Sequence, residues 1–210
     1  MRSADIATLA RTAMIFLIAY LVVIKFYPIA TILIFAIALA VDGVDGYLAV
    51  NESSMGAIGV TEYIKSSLGN EKYKKKVKEA KLKTSKLAPY APRFDVAADR
   101  IAEYSMWVLF LYLHIVPLFV LFIIIARHSI VDSLMGVKGT SSKMKRPIAR
   151  ALYSSNASRA LANILKFVTF SYLVLQYVWS YPVLIGNVLV GVLVAFIVLR
   201  GISEALENIG

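Results

Sequence analysis

The sequence predicts an all-α membrane protein with six transmembrane helices and both termini in the cytosol. Three observations predict it: how apolar the chain is, how its apolar residues are grouped, and where its positive charge falls. Of the 210 residues 59% are hydrophobic and the mean hydropathy is +0.71, against roughly 45–50% apolar residues in an average soluble domain. A soluble core of this size could hardly hide that surface, whereas a bilayer acts as its solvent. Six apolar segments stand out, at approximately 7–26, 29–49, 94–114, 116–136, 160–179 and 181–203. Each approaches the ~20 residues needed to cross a hydrocarbon core of ~30 Å.

The connections fall into two kinds. Pro28, Pro117 and Pro182 mark three tight hairpins, near Lys25–Pro28, His114–Pro117 and Ser180–Pro182, where one helix must stop and another start. The other two connections are long, roughly 50–93 and 137–159. Positive residues retained on the cytosolic side set the orientation of such a chain. The 50–93 segment holds ten: Lys65, Lys72, Lys74, Lys75, Lys76, Lys78, Lys81, Lys83, Lys86 and Arg93. The 137–159 segment adds Lys138, Lys143, Lys145, Arg146, Arg150 and Arg159, while the three hairpins hold only Lys25. Both long loops and both termini are therefore expected in the cytosol, and the chain is expected in the cell membrane as one transmembrane domain, residues 1–210. Arg2 and Arg11 ahead of an apolar run could suggest a signal peptide. The run continues through Met14–Tyr27 with no small-residue cleavage site, so it reads as a retained first span.

Within the long 50–93 insertion, Asn51–Gly69 is rich in small residues and mildly apolar, whereas Asn70–Lys86 reads as a basic helix that Pro89 and Pro92 end. Such a helix beside a membrane is drawn to anionic lipid, each Lys contributing about 1 kcal/mol near the surface. The same charges also serve a plain solvated face obeying the positive-inside bias. The sequence leaves both readings open. It holds no internal repeat and no low-complexity tract.

No cysteine is present, so disulfides and thiolate metal sites are excluded, and the only histidines are His114 and His128. Carboxylates are left as the metal ligands. The second span ends Val41-Asp42-Gly43-Val44-Asp45-Gly46-Tyr47-Leu48-Ala49, and the third begins Arg93-Phe94-Asp95-Val96-Ala97-Ala98-Asp99-Arg100. Asp42 and Asp45 are spaced i,i+3, and Asp95 and Asp99 i,i+4, so each pair shares one helical face. At 1.5 Å per residue Asp42 lies ~20 Å beyond Pro28, while Asp95 and Asp99 lie ~28 and ~22 Å from the far end of the third span. All four reach a similar level, just inside the cytosolic boundary. An Asp at a span centre costs roughly 2.5–3.5 kcal/mol on insertion scales, so intramembrane acids are functional by default. A hard divalent cation with oxygen ligands would offset their repulsion. A salt-bridge network with Arg11, Arg93 and Arg100 is the structural alternative. Gly43 and Gly46 remove side chains beside the acids and so let a bulky ligand approach the backbone, although a Gly pair in a span also serves helix packing.

Asp42-x-x-Asp45-Gly46-x-x-Ala49, followed by Asp95-x-x-x-Asp99, resembles the signature of the CDP-alcohol phosphotransferases, integral membrane enzymes. Thr8-Leu9-Ala10-Arg11 is similar to the opening of that family's first span. The resemblance runs from about residue 5 to 135 and more loosely beyond. Three departures stand out: Val50 replaces the family's Arg after the Ala, Ala91 replaces a Gly four residues before the third Asp, and the spacer is longer. Arg93, Arg100 or a loop Lys would have to take over the missing grip on nucleotide phosphate.

The resemblance implies six spans, a homodimer, and transfer of a phosphatidyl-type group from a CDP-linked lipid donor to the hydroxyl of a polar, in some relatives phosphorylated, alcohol acceptor, with release of CMP. It implies Asp42, Asp45, Asp95 and Asp99 as ligands of Mg²⁺, or Mn²⁺ in its place, as a pair of ions in the two-metal manner. Asp99 would also be the general base, and Asp42, Asp45, Gly46 and Ala49 would line the nucleotide pocket at the cytosolic leaflet. Arg127, Arg146 and Arg150 are the candidates for holding an acceptor phosphate, Arg127 because a guanidinium in an apolar run wants an anion. Snorkelling of Arg127 to the interface is the plain alternative, and His128 reads as a packed or interfacial histidine. No nucleic-acid partner is expected. Two other function classes compete: an ion- or proton-coupled transporter using the Asp cluster, which would need acids or broken helices at mid-depth, and a catalytically impaired family member serving as a scaffold.

Overall fold

The computed structural model describes residues 3–53, 58–67, 70–87, 90–138 and 156–209. Every element among them is helical. In chain order these are α1 (Ser3–Val23), α2 (Pro28–Ser53), α3 (Val60–Ser67), α4 (Glu71–Leu87), α5 (Ala91–Tyr112), α6 (Leu118–Lys138), α7 (Asn156–Trp179) and α8 (Val183–Ile209). The predicted segments at 7–26, 29–49, 94–114, 116–136, 160–179 and 181–203 thus each coincide with a helix. α2 runs on to Ser53, past its predicted end. The basic helix begins at Glu71, with the Asn70 side chain accepting a hydrogen bond from the Lys72 N–H at 3.2 Å, an N-cap that satisfies an orphan donor of the first turn. The short α3 lies in a stretch that the sequence marks only as small and mildly apolar. Residues 139–155, with Lys143, Lys145, Arg146 and Arg150, lie outside the described residues.

Among the described residues four helices are long and apolar enough to cross a membrane: Ser3–Val23, Pro28–Asn51, Ala157–Trp179 and Val183–Leu206. Within their most apolar stretches only 28%, 21%, 33% and 22% of residues are buried. Most of each apolar helix therefore faces outward, as a bilayer requires and water forbids. Leu33 on α2 is 60% exposed and Leu184 on α8 76%. The other two long helices break their apolar runs with charge, α5 with Arg93, Asp95, Asp99, Arg100 and Glu103, and α6 with Arg127 and Asp132.

The chain divides into two compact units. The first comprises residues 1–21 and 33–105 and the second residues 22–32 and 106–210. In the second unit α8 packs on α6 and on α7. Its core holds Trp107, Phe110, Ile124, Phe170, Leu173 and Leu193, all buried. The Trp107 and Phe170 rings meet edge to face with centroids 5.0 Å apart, a favoured arrangement for aromatic quadrupoles.

All three tight hairpins belong to this second unit and share one construction. Each has a single residue with positive φ shortly before the proline: Lys25 at 53°, His114 at 56° and Ser180 at 55°. At the second hairpin the Ile115 N–H reaches the Phe110 carbonyl at 3.0 Å, and the His114 N–H reaches the Leu111 carbonyl at 3.0 Å. This is the Schellman pattern, which satisfies the last carbonyls of α5 through a left-handed residue. Proline then stands at the start of the next helix (Pro28) or immediately before it (Pro117 and Pro182), where its missing N–H is no loss. The first and third hairpins touch. Tyr27 meets Trp179 edge-on at 6.0 Å, and the Lys25 ammonium lies 4.9 Å from the Tyr177 ring. Tyr and Trp gathered at one end of apolar helices match the belt these residues form at a membrane–water interface.

A side chain in the left-handed region costs roughly 1–2 kcal/mol relative to glycine. His114→Gly is therefore expected to stabilise the protein by about 1 kcal/mol, while a β-branched His114→Val should lower stability. Thermal unfolding in detergent of the two variants beside the parent checks this, and equal midpoints for all three would remove the strain argument.

Candidate active site

α1 carries two buried charged residues toward its N-terminus, Asp5 and Arg11, with Thr8 between them. The Thr8 hydroxyl donates to the Ala4 carbonyl at 3.1 Å, so it is satisfied within the helix. Asp5 and Arg11 instead reach toward α5. The Tyr90 hydroxyl donates to Asp5 Oδ2 at 2.9 Å. Arg11 Nη2 lies 2.8 Å from Asp99 Oδ1 and 3.7 Å from Asp95 Oδ1. Contacts advance in the same direction along both helices, from Asp5 with Tyr90 to Arg11 with Asp95 and Asp99. α1 and α5 therefore run parallel, beginning at the same end.

The burial of this cluster is uneven. The Arg11 side chain is 6% exposed, against 55% for Asp95 and 50% for Asp99. A guanidinium held out of water needs an anion nearby, since an uncompensated buried charge destabilises by several kcal/mol. The carboxylates meet it from one side and remain open to a ligand on the other. Asp95 and Asp99 lie ~6 and ~12 Å along α5 from its first residue, so the pair sits near the helix start rather than at its middle. One turn further, Glu103 is buried, with Arg100 Nη1 3.9 Å from its Oε2. Asp95, Asp99 and Glu103 thus recur every four residues on one face of α5, a stripe whose third member the sequence reading misses.

The second pair of predicted ligands, Asp42 and Asp45, lies on the helical backbone of α2, but their side chains, like that of Val44, fall outside the described residues. Among the described residues no group of three or more His, Asp or Glu side chains is arranged to hold a metal ion. Gly46 and Ala49 are both part-buried. The space where a Gly46 side chain would begin is occupied by Tyr63 of α3, whose Oη lies 2.7 Å from an ideal Cβ there. The neighbouring Tyr47 ring meets Tyr63 edge to face at 5.7 Å. Val50, one turn beyond Gly46, is 1% exposed and packs in an apolar cluster with Ile58, Val77 and Ala80.

The insertion is thus tied to α2 through Gly46, Tyr47 and Val50. A guanidinium at position 50, where the resembled pattern has Arg, would be buried in that cluster. Val50 is what the packing of α3 and α4 requires. No pattern in the sequence singles out Tyr63, because the contact joins positions that no helical period relates. Gly46 alone hinted that something approaches closely.

Arg127 lies in the second unit. Its Nη2 is 3.9 Å from Glu204 Oε2 on α8, with side-chain exposures of 11% and 0%. Its aliphatic stem runs over Gly201, with Cγ 2.7 Å from an ideal Cβ at that residue. The anion that Arg127 wants is thus supplied by the chain itself. The sequence singles out Arg127 but not Glu204, because no local spacing relates the two positions. Beside it His128 is buried, as a packed histidine would be. Arg146 and Arg150 are outside the described residues.

Compared with family models, curated proteins and solved structures, the chain matches none.

The contact between Tyr63 and Gly46 can be isolated by a double-mutant cycle. Gly46→Ala gains about 1 kcal/mol of helix propensity but sets a methyl group against the Tyr63 hydroxyl. Tyr63→Phe removes that oxygen and leaves the ring. Alanine is expected to be tolerated better in the Phe background, with a coupling energy on the order of 1 kcal/mol. Unfolding midpoints of the four proteins measure it, and strict additivity would show that Tyr63 does not cover Gly46.

Proposed function

We propose that this chain is a membrane-embedded, metal-dependent transferase of the CDP-alcohol phosphotransferase type. It moves a phosphatidyl-type group from a CDP-linked lipid to the hydroxyl of a polar alcohol and releases CMP. The single observation that carries this reading is Asp95 and Asp99, half-exposed on one face near the start of α5; the motif Asp42-x-x-Asp45-Gly46-x-x-Ala49 on α2 supplies the other half by resemblance. The parallel course of α1 and α5 and the gathering of hairpins in one unit support the six-span arrangement with cytosolic termini. The chain then acts as a homodimer in the cell membrane, its site at the cytosolic leaflet.

The donor set suits a hard cation. Carboxylate oxygens half-open to solvent fit Mg²⁺ or Mn²⁺, and no thiolate is present to favour a softer metal. Asp42, Asp45 and Asp95 would hold the metal, with Asp99 at its edge. When bound, it supplies the positive charge that departure of a nucleotide phosphate demands. The Asp99 carboxylate accepts the proton of the acceptor hydroxyl as that oxygen attacks phosphorus, and the bond from phosphorus to the CMP oxygen breaks. Arg11 orients Asp99 and Asp95 from the buried side. The membrane is part of the mechanism, since the donor's chains stay in lipid while its headgroup reaches the helix ends.

Acids near a helix start argue against a transporter path, which would place them at mid-depth. A second reading, a scaffold without turnover, is favoured by one observation: Tyr63 already fills the Gly46 face. Release of CMP from a CDP-lipid separates the two. Turnover is expected with Mg²⁺ and should stop on chelation, and no turnover under any divalent ion would favour the scaffold. Asp42→Asn, Asp45→Asn and Asp95→Asn should each abolish release, because an amide is a neutral, poorer ligand. Asp99→Asn should slow the chemical step by about 10²–10⁴-fold, the usual range for a general base, with nucleotide affinity retained. Single-turnover rates beside cytidine-nucleotide binding read the two effects apart, and parallel losses in both would make Asp99 a metal ligand instead.

A further inference from the structure

The lysines of α4 have no part in the reading above, and the packing of this helix bears on what they meet. Val77 and Ala80 are buried and Tyr73 is part-buried, three positions that fall on one stripe at 100° per residue. This stripe packs against Val50 and Ile58. Opposite it stands Leu82, 57% exposed. On the same half of the helix, N-terminal to Leu82, are the exposed side chains of Lys72, Lys74, Lys75 and Lys78, with Glu79 the one acid on that face among the described side chains. Lys76, at the border of the stripe, pairs with Glu62 of α3 at 3.5 Å. An isolated exposed leucine is ordinary. A leucine beside a run of exposed lysines, on a helix whose apolar side is already covered, gives that face charge for anionic headgroups and one apolar side chain to set at their base.

The position of α4 along α2 brings those headgroups within reach. Val50 lies ~33 Å from Pro28 along the helix axis, close to the ~30 Å thickness of the hydrocarbon core, so it marks the leaflet boundary. Tyr63 covers Gly46 and α4 covers Val50, one turn apart on the same side of α2. The α3–α4 pair therefore lies beside the end of α2 rather than beyond it, and the outer face of α4 meets the neighbouring lipids at headgroup level.

We propose that the Lys72–Leu82 face of α4 is a docking surface for anionic phospholipid headgroups of the leaflet in which α2 ends near Val50. Contact is made by charge, with Leu82 reaching only to the base of the headgroups. The inference does not depend on the proposed activity.

The chain has no cysteine, so Leu82→Cys gives a unique site for an environment-sensitive dye on the full-length protein in nanodiscs. In discs of phosphatidylcholine and phosphatidylglycerol in equal parts, the emission should shift to the blue relative to phosphatidylcholine alone. Salt should reverse the shift, because raising ionic strength from 0.1 M to 1 M shortens the screening length from about 10 Å to about 3 Å. Adding Lys72→Gln, Lys75→Gln and Lys78→Gln, all exposed positions away from the packed stripe, should lower the ratio of docked to free face on the order of a hundredfold, about fivefold per lysine. Identical spectra in the two lipid compositions at low salt would overturn the proposal. A blue shift in both compositions that ignores salt would overturn it too, since the face would then be covered by hydrocarbon or by a second copy of the chain.

Discussion

Arg11 is almost wholly out of water, yet its guanidinium lies 2.8 Å from a carboxylate that is half-exposed. A charge in that position is tolerable only while its anion stays there, and the placement of α1 against α5 follows from this requirement. The same contact governs the aspartates. Asp95 and Asp99 stand four residues apart at the start of a helix, where two like charges repel, and Arg11 offsets part of that repulsion without covering their open side. Tyr90 and Asp5 add a second tie at the helix starts, so the parallel register is fixed at two points. The two carboxylates are held by a cation from within and stay half-exposed on their outer side.

The insertion between α2 and α5 obeys a different rule. Its apolar residues are too few to make a core alone, and they borrow one from the end of α2. Val50, Ile58, Val77 and Ala80 close that small cluster, and Tyr63 settles against the glycine one turn earlier. The use of Val at position 50 and the presence of the insertion are thus two sides of one packing solution. An arginine there would need an anion that this cluster does not hold. With the inner stripe of α4 committed to α2, Lys72, Lys74, Lys75 and Lys78 are left exposed on the rest of its surface.

At the hairpins the constraint is the backbone itself. Peptide groups at a helix end near a membrane must find partners, and a left-handed residue followed by proline supplies them in two or three residues. That Lys25, His114 and Ser180 fill this role without being glycine implies that cross-hairpin contacts, such as Lys25 with Tyr177 and Tyr27 with Trp179, hold the turns in place.

The sequence by itself determined the helices, because apolar runs of span length and proline punctuation are local signals that survive without tertiary context. Each predicted span coincides with a helix, and the basic run Asn70–Lys86 matches α4 to within a residue at either end. Arg11 as a partner of the third-span acids was likewise legible, since few other cations lie in or beside the apolar segments. Tertiary structure alone decided the rest. That Tyr63 covers Gly46, that Val50 anchors the insertion, that Tyr90 meets Asp5, and that Arg127 is met by Glu204 instead of standing free for a ligand, are contacts between residues far apart in the chain. Periodicity says which side of a helix is apolar. It does not say which partner buries that side, because packing depends on shape and charge brought together only when the whole chain has folded.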